Sequence, residues 1–375
     1  MSGRPRVIVC GTGFGRVHLA ALGRPGVPFE LAGVLARGSD RSRLCADQAG
    51  VPLNTEVEQV PGDVDLACVV LLGEVNGGQG SAVAARFMSR GVHVLQEGPL
   101  LHDELAASLR TARREKVFYQ VNTHYTHLPP VRRFTAAARV LLARQRPLFV
   151  DAVCGIQVSY NLFDILGRIL GGLRPWGFAD PPQVPEEIRR LSGTEPPFRT
   201  LSGVLAGVPL TLRVQNQLHP ADPDNHAHFL HRVTLGTEGG TLTLANTHGP
   251  VLWSPRPHLP EQARTLATLD GAADEHLDFP SSTPIGPARA PSYREILGEM
   301  WPAGVERALR ATWTAQSDGV DPLRDGQYHL AVCKVWQAMA GALGFPERLL
   351  GPAPRPLSAD ELISAMRSQH EELLT

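Results

Sequence analysis

Residues 6–22 read RVIVC, GTGFG, RVHLAAL: an apolar run of strand length, a turn carrying Gly11, Gly13 and Gly15, and the opening of a helix. A strand that passes through such a turn into a helix is the start of a dinucleotide-binding βαβ unit. The first glycine permits the tight turn, the second lets a pyrophosphate approach the backbone, and the helix N-terminus attracts its charge. Gly11, Thr12, Gly13, Phe14 and Gly15 are therefore candidate cofactor contacts. The third glycine stands at Gly15, one place earlier than in G-x-G-x-x-G, where position 16 is Arg.

Working outward, strand patterns recur at 30–36, 64–72, 92–96 and 117–121, with helical patterns at 81–89 and 103–115. The run 64–72 (VDLACVVLL) is nearly all apolar, as a strand covered on both faces of a parallel sheet must be. This alternation predicts an α/β, doubly wound Rossmann sheet. Beyond residue 147 the pattern changes. Strand-like segments at 148–158, 199–205, 208–215, 229–236 and 241–246 surround a helix at 161–170, with a hairpin signal at 237–240. Pro-rich stretches lie at 174–197 and 254–290, and helices are expected at 292–314 and 323–343. The expected second unit is an α+β domain with an open, mostly antiparallel sheet. The expected division is 1–122 for the dinucleotide domain, 123–345 for substrate binding and subunit contact, and 346–375 for a C-terminal helical segment.

The end of the second strand bears on cofactor choice. A site for NAD usually carries an acid there to hold the ribose 2′-hydroxyl. Residues 36–42 are ARGSDRS, with no acid at the strand end. Arg37, Ser39 and Arg41 can instead surround a 2′-phosphate, with Asp40 pointing away, so the expected cofactor is NADPH. Leu72, Gly77, Gly78, Glu97 and Pro99, at or just past the next strand ends, are candidates for the nicotinamide end.

The 375 residues suit about two domains. Hydrophobic residues make up 43%, charged residues 19%, and the net charge is −1. Nothing here favours a nucleic-acid or membrane partner. The five cysteines form no C-x-x-C pair. That suits reduced thiols, and with no apolar span or leader the expected location is cytoplasmic. His226, His228 and His231 are close in sequence, but on one regular strand the third would face away from the first two. No metal is expected.

The layout resembles the glucose–fructose oxidoreductase/inositol dehydrogenase family over nearly the whole chain. That family carries Glu-Lys-Pro after its fourth long strand, with lysine catalytic; this chain has Glu97-Gly98-Pro99. Its Asp-x3-His-x2-Asp pattern is met here by Gln157, Asn161 and Asp164, so only the last position matches. Oxidising an alcohol needs a base for the hydroxyl proton, and Gly, Gln and Asn cannot supply one. Segments 11–22, 91–100, 122–134 (NTHYTHLPPVRRF), 162–176 (LFDILGRILGGLRPW) and 236–253 (GTEGGTLTLANTHGPVLW) resemble the thiazolinyl imine reductases of siderophore biosynthesis, the yersiniabactin and pyochelin type. That resemblance implies reduction by NADPH of a thiazoline C=N to a thiazolidine, on a substrate tethered to a nonribosomal peptide synthetase carrier domain. Such a reduction needs an acid rather than a base. Tyr125 is the first candidate, with His102, His124 and His127 beside it. Two other readings remain open: a sugar or polyol oxidoreductase with an atypical site, and a dinucleotide-binding sensor without catalysis. A homodimer packed through the second-domain sheet is also expected, on the view that its strands are apolar at both parities.

Overall fold

The structure, a computed structural model, describes residues 3–74, 77–182 and 184–369. Six strands form the first sheet: β1 (Arg6–Cys10), β2 (Glu30–Leu35), β3 (Leu53–Asn54), β4 (Leu66–Val69), β5 (His93–Glu97) and β6 (Tyr119–Asn122). Their order is β3-β2-β1-β4-β5-β6, all parallel. Helices α1 (Gly15–Leu22), α2 (Asp40–Ala49), α3 (Gly80–Met88) and α4 (His102–Glu115) make the crossovers. The chain reverses direction across the sheet between β1 and β4, which opens a crevice at their C-terminal ends. The strand expected over 64–72 pairs only from 66 to 69. The last amide bond of the ladder is Val70 N–H to the Cys10 carbonyl, 2.9 Å, and Leu71 and Leu72 then leave the sheet toward the crevice.

After β6 comes α5 (Pro129–Leu142), whose paired prolines stand in the first turn, where an absent N–H costs nothing. Then follow β7 (Pro147–Gly155), α6 (Ser159–Leu170), β8 (Trp176–Phe178), α7 (Glu186–Arg189), β9 (Phe198–Leu205), β10 (Val208–Gln215), β11 (Gln217–Leu218), β12 (His231–Thr237), β13 (Gly240–Leu244), β14 (Val251–Pro255) and β15 (Thr283–Pro284). Eight of these strands make the second sheet, ordered β15-β14-β13-β12-β7-β10-β9-β8. Its pairings are antiparallel except that of β7 with β10, which is parallel. Its inner face buries Val150, Ala152, Leu212, Val214, Val233, Leu235, Leu242 and Leu244. The outer face does not carry the apolar set expected for it. Thr200, Ser202, Thr211, Thr234, Thr241 and Thr243 stand there with Arg213 and Arg232, and the exposed apolar residues Phe149 and Val204 are a minority. Burial alternates strictly along β10 as far as Val214, and the second parity exposes Pro209, Thr211 and Arg213.

The chain then turns back on its first half. The short α8 (Tyr293–Glu295) leads into α9 (Trp301–Ser317), and α10 (Pro322–Leu343) follows. Val305, Ala308 and Leu309 of α9 share one buried cluster with Val7 and Val9 of β1 and Leu66 of β4. The Thr312 hydroxyl donates to Gln120 Oε1 at 2.9 Å, and Arg24 pairs with Glu306 at 3.1 Å. A helix late in sequence thus belongs to the packing of the Rossmann sheet. Beyond it, β16 (Glu347–Arg348) pairs with β11, and α11 (Ala359–Gln369) is exposed over residues 359–368.

Candidate active site

The glycine turn after β1 is shaped for close approach. Gly11 has φ +99°, and a Cβ there would lie 2.5 Å from the Val70 carbonyl oxygen. Gly13 faces open space, with nothing within 4 Å of where its Cβ would stand. At Gly15 a Cβ would meet Val9 Cγ1 at 3.3 Å, so this glycine lets α1 pack onto β1. The three tasks of the motif are met despite the shifted spacing. Phe14, at the start of α1, offers no side-chain cap to the first-turn N–H groups, and Thr12 is buried beside it. The Phe14 ring itself turns inward, edge-on to His124 at 5.0 Å and near Trp301 at 5.7 Å.

At the end of β2, Arg37, Ser39 and Arg41 are exposed, and neither arginine forms an ion pair among the described residues. Asp40 points outward, fully exposed, and pairs with Arg43 at 3.0 Å. Ser39 also caps α2, its Oγ accepting from the Ser42 amide at 3.3 Å. The residues fit a dinucleotide with a 2′-phosphate: an open cradle at Gly13, an uncapped helix start, and two free guanidinium groups with no acid at the strand end.

Past β4 the loop folds back on itself. A Cβ on Gly78 would collide with the Leu72 carbonyl oxygen, while Gly77 has φ +69° and open space around it. Leu72 is exposed. This edge is tied together by buried Glu104, which no motif in the sequence singled out. Its carboxylate accepts from Leu101 N–H at 3.1 Å, from Glu74 N–H at 3.3 Å and from the Ser81 hydroxyl. The signal was present: Glu104 is the acid three residues after the residue preceding α4, where a capping carboxylate belongs.

Glu97 closes β5, half-buried, and Asn122 Nδ2 donates to its Oε2 at 2.7 Å. Asn122 is itself buried, and its Oδ1 has no partner among the described residues. At Gly98, where the resembling family has lysine, a Cβ would lie 3.0 Å from Cε1 of Tyr160. Tyr160 comes from α6 and is 1% exposed, its hydroxyl 3.4 Å from His329 Nδ1. Any side chain at this position would therefore start in tight contact with an aromatic ring from the second domain. Pro99 follows at the same corner, its carbonyl oxygen 3.0 Å from where a Gly73 Cβ would be.

The expected proton donors separate. Tyr125 is buried at the base of the second domain, edge-on to His231 at 4.9 Å. Its hydroxyl has no hydrogen-bond partner among the described residues. Burial pushes its pKa up, reinforced by the charges of Asp224 and Glu97. Gln157 Nε2 donates to Asp224 Oδ1 at 3.3 Å, so Gln157 helps hold this acid in place. His124, 1% exposed, is packed among Phe14, Tyr125 and Trp301 with neither ring nitrogen bonded. Burial drives its pKa well below the usual range, so it is a neutral packing group and not a ready acid. His127 is brought down to about 4, by burial first and then by Arg168. His102 stands apart from this group. It lines a cavity of about 620 Å³ with Glu74, Leu101, Trp176, Lys334 and Gln337, and its Nδ1 meets Asp103 at 2.9 Å.

Asp164 has another use. It is fully buried, paired with Arg168 at 2.8 Å, and accepts from the Thr123 hydroxyl. Burial alone would raise its pKa, but Arg168, His329 and Thr123 outweigh burial and hold it below the usual carboxylate value. It clamps α6 to the turn after β6. The clustered histidines diverge. His226 stacks on His219 at 4.6 Å, His228 lies against Phe198, and His231 Nε2 meets the Val158 carbonyl at 3.0 Å. A separate group, His258, Asp274 and His276, gathers on the Pro-rich loop.

Residues 5–123 match the model of the oxidoreductase family with NAD-binding Rossmann fold. Residues 145–254 match that of the thiazolinyl imine reductase Irp3-like C-terminal domain. No curated protein matches the sequence. Among solved structures, the chain is similar to an oxidoreductase from Agrobacterium radiobacter in complex with NAD+, L-tartaric acid and magnesium, at 13% identity and TM-score 0.63, covering 90% of this chain and 97% of that one. GenD2 from gentamicin A biosynthesis, in complex with NAD, is similar at 16% identity and TM-score 0.61, over 90% and 93%. UDP-N-acetylglucosamine 3-dehydrogenase from Acidithiobacillus ferrooxidans is similar at 15% and 0.61, over 91% and 98%. At these identities the likeness shows the fold. Among the described residues no helix is long and apolar enough to cross a membrane.

Proposed function

We propose that this oxidoreductase, a Rossmann domain joined to a thiazolinyl-imine-reductase-like second domain, reduces the C=N bond of a thiazoline with NADPH. The observation that carries the reading is Tyr160 against Gly98. With Gln157 and Asn161 at the neighbouring positions, the described residues bring none of the resembling family's lysine, first aspartate and histidine to the cleft, and Glu97, which burial keeps protonated at neutral pH, is not a ready base for oxidising an alcohol. The cleft does hold neutral or protonated donors, which suits delivery of a proton to nitrogen. The match of residues 145–254 supports the same substrate class.

A bound NADPH would supply the hydride. Gly11 and Gly13 would let its pyrophosphate reach the start of α1, and Arg37 and Arg41 would pair with its 2′-phosphate. Asn122 Oδ1, buried and without a partner, is an acceptor suited to an amide N–H at the nicotinamide end. Tyr125 would present its free hydroxyl to the substrate. The cavity lined by His102, Trp176 and Lys334 would give an arm tethered to a carrier domain a route toward the cleft. The carrier domain of a nonribosomal peptide synthetase is the partner in this proposal, with siderophore biosynthesis as its setting. A homodimer belongs to the same proposal, with the threonine- and arginine-rich outer face of the second sheet as a polar rather than an apolar contact surface.

The test is NADPH consumption followed by absorbance, with a thiazoline thioester or thiazoline acid against myo-inositol and other polyols with NADP+. Turnover of the thiazoline is the expected result. Turnover of polyols alone would transfer the chain to alcohol chemistry, and cofactor binding without either would make it a sensor.

A further inference from the structure

Neighbouring residues at the end of β5 are put to different uses. Gln96 is fully buried, its amide donating to Ser81 Oγ at 2.9 Å and its carbonyl accepting from the Tyr119 hydroxyl at 2.8 Å. Its hydrogen bonds are used up in joining α3 to β6. Glu97 points to the other face, at the C-terminal edge where the crevice opens, directly before the glycine that replaces lysine.

The groups around the Glu97 carboxyl are few. From β6 and the turn after it come Asn122 Nδ2, the backbone amide of His124 and the Tyr125 ring; from β4 comes the Cys68 thiol. Asp224, from the loop before β12, acts on the same Tyr125 hydroxyl. No cation faces Glu97 among the described residues. A half-buried carboxyl with no positive partner is costly to ionise. Burial pushes its pKa up to about 8, against the opposing pull of the Asn122 and His124 hydrogen bonds. The neighbouring donors are unlike it: His124 and His127 have lost their protons at neutral pH, and Tyr125 holds its own too tightly. An efficient general acid titrates near the working pH, and Glu97 is placed to do so where the two histidines and the tyrosine are not.

We propose that Glu97 is the acid that protonates the imine nitrogen, taking over proton handling at the corner where lysine is absent. The inference rests on the imine reading above. As hydride adds to the carbon of the C=N bond, the π pair moves to nitrogen and the nitrogen takes the carboxyl proton. Glu97 is left as carboxylate, held by Asn122, and regains a proton from water. Asn122 is a positioning residue in this step, and the Tyr125 hydroxyl orients the ring.

Two readouts test this on the full-length protein. The first needs no substrate: carbon NMR of ¹³Cδ-labelled glutamate, with Glu97 assigned by its loss in Glu97→Gln. A midpoint near 8 is expected, and a midpoint in the ordinary glutamate range overturns the proposal. The second is single-turnover hydride transfer against pH with a thiazoline substrate. Wild type should slow on the alkaline side as Glu97 ionises. Glu97→Gln should be at least about tenfold slower and lose that limb. Glu97→Asp should restore part of both, while Tyr125→Phe keeps the limb. Glu97→Gln at full rate with the alkaline limb intact overturns the proposal. If Glu97→Gln does not fold by circular dichroism, Glu97→Asp takes its place: the labelled resonance that titrates near 8 should vanish in it and its alkaline limb should move from the wild-type position, and a limb left where wild type has it overturns the proposal. If wild type reduces no thiazoline, the imine reading falls, and the NMR midpoint still judges whether Glu97 is a neutral-pH acid.

Discussion

Gly13 and Gly98 stand at the ends of two strands of the same sheet, and both leave a side chain out. Around Gly13 there is nothing within 4 Å where a Cβ would go, whereas at Gly98 that position is 3.0 Å from the Tyr160 ring. In the proposed reading, the first glycine keeps room for the dinucleotide. The other keeps room for a residue of the second domain. In sequence the two look alike, and only the packing separates a vacancy reserved for chemistry from one already taken by the fold.

The largest effect expected from this contrast is at Gly98. Gly98→Lys would put a long cationic chain into a space filled by a buried aromatic ring. Overpacking together with burial of an unpaired charge should cost about 3 kcal/mol or more. Thermal and denaturant unfolding should show that loss, and polyol oxidation should not appear. If Gly98→Lys is as stable as wild type and oxidises polyols, Tyr160 does not block the corner. Gly13→Ala is the counterpart: stability within about 0.5 kcal/mol of wild type, as for a substitution in open space, with dinucleotide binding weakened in titration calorimetry.

Next in size is a pH effect at Glu97. A carboxyl whose pKa is raised in the folded protein stays protonated there while the unfolded chain ionises. Its contribution to stability is full below the unfolded value and is lost as pH rises toward the folded value of about 8. The slope cannot exceed about 1.4 kcal/mol per pH unit from this one group. Glu97→Gln should therefore gain stability over wild type at pH 8 and show little difference near pH 4. Equal pH dependence of the two melting curves would remove burial as the cause. Asp164 runs the other way. Its depressed pKa stabilises the fold above the ordinary carboxylate range and is lost only on strong acidification.

The readable part of the molecule is the part set by local constraints. GTGFG declares itself because a tight turn, an open approach and a close helix–strand contact each need glycine at a nearby position. The strand ends follow from the apolar runs, within the limits of where the ladder stops. Tyr160 was in plain view, but nothing local says that its ring meets Gly98, because the two lie on different domains. The parallel contact of β7 with β10 and the return of α9 to the first sheet are hidden for the same reason. His124 misled because its neighbours in sequence are polar while its neighbours in space are Phe14 and Trp301.

The 2′-phosphate reading gives a smaller effect. Arg37 and Arg41 are exposed, and each pairing with a phosphate should be worth about 1.5 kcal/mol, the low end for a charge-assisted bond. Arg37→Ala or Arg41→Ala should weaken NADPH about tenfold and leave NADH nearly unchanged, as followed by cofactor fluorescence. Tight binding of NADH by wild type would mean that the missing acid at the strand end does not select the phosphate.

The smallest effect separates two uses of one hydroxyl. Ser39 lies between Arg37 and Arg41, where a phosphate would be, yet its Oγ already accepts from the Ser42 amide at 3.3 Å and starts α2. A cap of this kind is worth about 1 kcal/mol, and the long contact argues for no more. The Ser39 hydroxyl also donates to Ser42 Oγ, but at 3.3 Å, a long contact that a phosphate oxygen can displace, so capping does not exclude a phosphate contact. Ser39→Ala removes both roles, whereas Ser39→Asp keeps the cap and places a negative charge against the phosphate. If the serine is only a cap, Ser39→Ala loses about 1 kcal/mol in unfolding and binds NADPH as wild type does. If it also donates to the phosphate, Ser39→Ala loses NADPH affinity by several-fold while NADH is unaffected. Ser39→Asp then melts like wild type and discriminates against NADPH. An Asp variant that keeps full NADPH affinity would place the phosphate elsewhere and confine this part of the site to the two arginines.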